Sequence, residues 1–146
     1  MGQGEQVGIA VSVMESSSTT TAYSIGGVRV LECSAEGPVL RSSQDAVDLI
    51  VEAMQQSASL VVLPGARVDP RFFELRSQMA GEIVQKFVNY RMRLAVVGDF
   101  STLISESTSL RAFILESNRG SSIWFLGSIE ELKKRLAEEE RRMEIE

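Results

Sequence analysis

Three short apolar runs set the limits on what this chain can fold into: Leu60-Val61-Val62-Leu63, Leu94-Ala95-Val96-Val97 and Ile123-Trp124-Phe125-Leu126. Each is continuous rather than alternating, the pattern of a strand buried on both faces in a parallel sheet. Pro64-Gly65 and Gly98-Asp99 end the first two. The segments between them carry helical periodicity. Ser42 or Ser43 caps a helix over about 44–57 with Val47, Ile50, Val51 and Met54 inward. Asp69-Pro70 supplies an N-cap and a first-turn proline. The arc from Phe72 and Phe73 to Phe87 and Val88 then predicts one long helix ending near Tyr90. Ser107 or Ser109 opens a third helix, with Gly120 as its expected left-handed stop. Ser128 with Glu131 forms a capping box for a fourth, whose apolar side is Ile129, Leu132 and Leu136. Upstream, residues 22–25 and 28–31 flank Gly26-Gly27 as a hairpin. The order β-β-α-β-α-β-α-β-α predicts an α/β fold, a single mixed and mostly parallel sheet packed with helices.

Composition removes whole classes of chemistry. The 146 residues contain no histidine and one cysteine, Cys33. That excludes Ser-His-Asp and Cys-His nucleophile systems, histidine-containing metal sites, multi-cysteine zinc sites and intrachain disulfides. No cofactor, metal site or catalytic residue is expected. The net charge of −5 argues against a nucleic-acid partner. No basic residue precedes Arg29, and no apolar stretch approaches the ~20 residues of a membrane span. A lone thiol in such a chain points to a reducing, cytoplasmic setting. Residues 1–20, with the run Ser16-Ser17-Ser18-Thr19-Thr20-Thr21 at their end, are expected to be a flexible tail. Within them residues 7–14 have the makings of an extra edge strand, and Met14 offers an alternative translation start. Residues 21–137 are expected to form one domain, and 138–146 a charged tail that frays.

Ligands in parallel sheets sit beyond the carboxyl ends of the strands. On this topology that edge gathers Asp69, Arg71, Asp99 and Ser101. Asp99 reads first as the cap of the following turn; the alternative is a carboxylate that accepts a phosphoryl group, while a cation site is disfavoured because no acidic pair precedes it. Arg76 falls inside the apolar arc of the long helix, so it either snorkels past the sheet rim or contacts an anion or partner. Asn118 and Arg119 precede Gly120 at a helix end, on the opposite edge from Asp99, and read as a capping arrangement or a separate contact. Cys33 reads as a small core-facing residue, and Gly81 as a point of close backbone approach or bending.

Several segments together resemble one family: Gln44-Asp45-Ala46-Val47-Asp48-Leu49, Asp69-Pro70-Arg71-Phe72-Phe73-Glu74-Leu75, Ala80-Gly81-Glu82-Ile83-Val84-Gln85-Lys86-Phe87, Arg93-Leu94-Ala95-Val96-Val97-Gly98-Asp99-Phe100-Ser101 and Leu110-Arg111-Ala112-Phe113-Ile114-Leu115-Glu116-Ser117-Asn118-Arg119-Gly120. They look like the bacterial family called domain of unknown function 4180, over roughly residues 22 to 136. That resemblance implies no activity. The element order is also similar to STAS domains, the anti-sigma-factor antagonist fold. In those antagonists a phosphorylatable serine lies in an Asp-Ser-Ser-Gly turn before the helix after the third strand. Here the matching turn is Asp69-Pro70-Arg71, with no hydroxyl until Ser77. The STAS-like likeness implies a non-enzymatic regulatory module docking another protein. The competing expectation is a small ligand- or anion-binding domain or enzyme working through Asp99, Arg71 and Arg76, and a homodimer is a further expectation.

Overall fold

The computed structural model describes residues 20–145. The expected tail, edge strand and alternative start within residues 1–19 lie outside the described residues. Five strands form one sheet in sequential order. Strand β1 (Thr20–Ile25) pairs antiparallel with β2 (Val28–Cys33), and β3 (Leu60–Pro64), β4 (Arg93–Val97) and β5 (Ile123–Leu126) follow in parallel. The β1–β2 turn places Gly26 at φ +60°, which a tight hairpin demands of its first central residue and which glycine adopts without strain. All four residues of β5 are buried, as are Leu60, Val61, Val62 and Leu63 of β3. The mixed α/β architecture is the one the apolar runs predict.

Alternate strand residues divide the core. On one face Leu31, Val61, Leu63, Leu94, Val96, Ile123 and Phe125 meet helices α1 (Ser43–Gln55), α2 (Met79–Asn89), α3 (Ser101–Glu106) and α4 (Thr108–Arg119). On the other, Val30, Leu60, Val62, Ala95, Trp124 and Leu126 meet Leu132 and Leu136 of a single helix, α5 (Ile129–Ile145). The caps are local and legible. The Ser42 and Ser107 hydroxyls accept from the backbone N–H of Asp45 and Leu110, each at 3.1 Å. Ser128 accepts from Glu131 N–H at 3.2 Å, while the Glu131 carboxylate reaches back to Gly127 N–H at 2.8 Å.

Five expectations are corrected. The long helix from Pro70 is broken into 3-10 turns at Pro70–Phe73 and Leu75–Ser77, and α2 begins only at Met79. Asp69 still caps the first turn, but Gln78 turns left-handed at φ +68° and ends the second. The reason is tertiary: the consecutive rings of Phe72 and Phe73 both join a nest with Phe100, Phe113 and Phe125, at centroid distances of 5.1 to 6.4 Å. Second, α1 buries Ala46, Ile50 and Ala53, leaving Val51 and Met54 exposed. Third, α5 continues through the charged run to Ile145, since Glu, Lys and Arg favour helix and Glu139 is pinned to β4 through Arg93. Fourth, Gly120 has φ −86° and is not left-handed. Fifth, a Cβ on Gly81 would meet nothing within 4 Å, so no close approach explains that glycine. The fold also has a helix, α3, that the sequence reading lacks.

Candidate functional site at the carboxyl ends of the strands

The expected residues gather in two tight local pairs. Asp69 accepts from the backbone N–H of Arg71 at 2.8 Å and pairs with its guanidinium at 3.0 Å. Hydrogen bonds from the Arg71 side chain, then from its backbone N–H, hold the Asp69 carboxyl below its ordinary range, and Asp69 in turn raises Arg71. Thirty residues on, Asp99 Oδ1 accepts from the Ser101 hydroxyl at 2.7 Å and from Ser101 N–H at 3.0 Å. Those bonds lower the Asp99 carboxyl as well, the hydroxyl contributing most. Both acids are therefore anionic at neutral pH and are acceptors rather than proton donors. Phe73, two residues past Arg71, and Phe100, between Asp99 and Ser101, meet with tilted rings at 5.9 Å and tie the two loops together.

Arg76 does not share the interior. It sits exposed on the second 3-10 turn, so the helical arc that placed it among apolar residues does not exist. Asn118 is on the other side of the molecule, as its position at a helix C-terminus requires. Its side-chain amide donates to Phe125 C=O at 3.1 Å and accepts from Phe125 N–H at 2.7 Å, closing the outward edge of β5. Arg119 beside it makes a solvent-exposed contact with Glu116 at 3.4 Å. Asn118 and Arg119 thus form no common site with Asp69, Arg71, Asp99 and Ser101.

Among the described residues the buried charged side chain is Arg67, at 6% exposure, which sequence spacing does not reveal. Arg67 follows β3 and reaches the loop after β2. Its Nε donates to Pro38 C=O, and its Nη1 to Ser34 C=O at 2.8 Å and Glu36 C=O at 3.3 Å. Gly37 between them has φ +136°, and a Cβ there would stand 2.9 Å from the guanidinium carbon. Backbone bonding between Leu40 and the Arg67–Asp69 segment secures the same crossing. Nothing local marks Arg67, because its acceptors are 29 to 33 residues away. A cavity of about 200 Å3 beside it is lined also by Asp45, Asp48 and Glu52 of α1. Cys33, 1% exposed, has its thiol pushed up to about 11, chiefly by burial.

None of five well-formed cavities on the described surface is lined by Asp69, Arg71, Arg76, Asp99 or Ser101. Among the described residues no group of three or more acidic or cysteine side chains is placed to hold a metal ion, and no helix is long and apolar enough to cross a membrane. A family model described as "Domain of unknown function (DUF4180)" matches residues 25–136, spanning β2 to the middle of α5. The chain belongs to this DUF4180 family. The match takes in the Asp69–Arg71 and Asp99–Ser101 turns, Arg67 and the Asn118 edge contact, so all of these features lie within the family's domain. No curated protein and no solved structure matched the chain.

Proposed function

We propose that this DUF4180 domain is a non-enzymatic regulatory module, STAS-like in its element order, that docks a protein partner through its carboxyl-end rim. One observation carries the reading: Asp69, Arg71, Asp99 and Ser101 are paired locally on surface turns and line none of those five cavities. Charges arranged on a surface suit complementary contact with a partner, while small-molecule chemistry favours a concave chamber. The aromatic nest beneath supports this, since it holds the two loops in one orientation and limits the ordering entropy of docking. A reducing cytoplasmic setting accords with the single buried thiol.

Affinity capture from the native host tests the proposal, using the whole chain and the variants Arg71→Glu and Asp99→Lys. The expected outcome is a protein retained by the parent chain and lost from both variants, with their thermal unfolding nearly unchanged. Retention by both variants, or no specific capture by the parent chain, would overturn it.

A further inference from the structure

The opposite edge holds a concentration of positive charge that the rim does not. Two adjoining cavities, about 340 and 460 Å3, share Ser121, Glu139 and Arg142. Arg93, Arg119, Arg135 and Arg142 line them against one carboxylate, Glu139, in a chain whose net charge is −5. Glu139 is committed: both of its oxygens accept from Arg93 Nη2, at 3.0 and 3.2 Å. Arg142 has no hydrogen bond or ion pair among the described residues, and Arg119 has only its exposed contact with Glu116. Arg135 uses one N–H, donated to Asn118 C=O at 2.6 Å. Most of its five donors remain.

Two of these guanidinium groups are also preorganised. Arg93 and Arg135 lie 4.7 and 4.2 Å from the centroid of the Trp124 ring, which is itself 2% exposed and tied through Nε1 to Gly120 C=O at 2.8 Å. The C-terminus of α4 points here and its dipole opposes an anion. That opposition is blunted, because Arg135, Trp124 and Arg93 already bond the carbonyls of Asn118, Gly120 and Ser121.

We propose that this arginine-lined cleft binds a phosphate group. Guanidinium N–H pairs match phosphate oxygens in spacing and charge. With two guanidinium groups stacked on it and almost no exposure, Trp124 offers no face to a base or sugar. Recognition therefore rests on the anion itself, whether a free ion or the end of an ester. The site is independent of the carboxyl-end rim.

Calorimetric titration of the whole chain at low salt tests this with three probes: inorganic phosphate, pyrophosphate and phosphoserine. Saturable binding is expected for all three, tightest for pyrophosphate. Equal affinity for phosphate and phosphoserine assigns the site to the dianion alone, and tighter phosphoserine assigns it to an ester. Arg142→Gln, a surface change that leaves the fold intact, should weaken pyrophosphate about tenfold. Arg135→Lys, which keeps the charge and loses the fork, should also weaken it. Arg76→Gln, on the other edge, should leave it unchanged. No saturable binding at millimolar probe, or equal weakening by Arg76→Gln and Arg142→Gln, would overturn the proposal.

Discussion

The two ends of the parallel strands are built by opposite strategies. At the carboxyl ends the exposed polar contacts are local, two to six residues apart: Asp69 with Arg71, Asp99 with Ser101, Ser77 with Arg71, and Gly127 with Glu131. At the amino ends, apart from Arg119 with Glu116, they join distant parts of the chain. Arg93 meets Ser121 and Glu139 at separations of 28 and 46 residues, and Arg135 meets Asn118 at 17. A local pair survives without the rest of the fold and adds little to global stability. A long-range network exists only when sheet and helices have assembled, so its loss is felt by the whole domain. Of the amino-end arginines, Arg93 and Arg135 are held in this way, while Arg119 keeps only an exposed contact with Glu116.

The sharpest way to break this comparison is Trp124→Ala, which removes the ring supporting both guanidinium groups. A loss of about 3–5 kcal/mol in urea-induced unfolding is expected, as for other buried large-to-small changes. A loss below about 1 kcal/mol would mean that the amino-end network is decorative. Next comes Arg67→Ala, the one long-range polar clamp near the carboxyl ends. It should cost about 2–3 kcal/mol, measured the same way, because the loop carbonyls lose a charged donor and the site loses its filling.

A double-mutant cycle on Arg93→Gln and Glu139→Gln should give a coupling of about 0.5–1 kcal/mol, since each side chain is three-quarters buried. The matching cycle on Asp69→Asn and Arg71→Gln should give less, and moderate salt should abolish it; equal couplings would erase the distinction. The smallest effect is one of pH. Asp69 and Asp99 have folded values below their unfolded ones, so their contribution is present above about pH 4 and is lost as pH falls through the lowered values. Replacing both by Asn should flatten the acid limb of the stability profile slightly. A profile that steepens instead would contradict the assigned hydrogen bonds.

What could be seen in the sequence follows the same division. The strand cores at 60–63, 94–97 and 123–126, the serine caps at 42, 107 and 128, and the turns at Asp69 and Asp99 are all dictated within a few residues. The break at Gln78 was not visible, because no glycine or proline stands between Glu74 and Met79 and the apolar spacing suits a helix. It arises from rings contributed by α4, β5 and the loop after β4. The same break takes Arg76 out of the apolar arc that helical spacing gave it, and the buried arginine is Arg67, held by carbonyls some thirty residues away. Tyr23 is a further case. Burial, and then its hydrogen bond to Glu32 at 2.6 Å, push its phenol up to about 12, and only the β1–β2 register brings that pair together.

The Asn118 amide across Phe125 has a consequence for assembly. A sheet with two receptive borders polymerises, whereas one with a plugged border can gain a neighbour on a single flank. The amide occupies both outward-facing backbone groups of Phe125, so a strand adding beside β5 would meet a position that is already bonded.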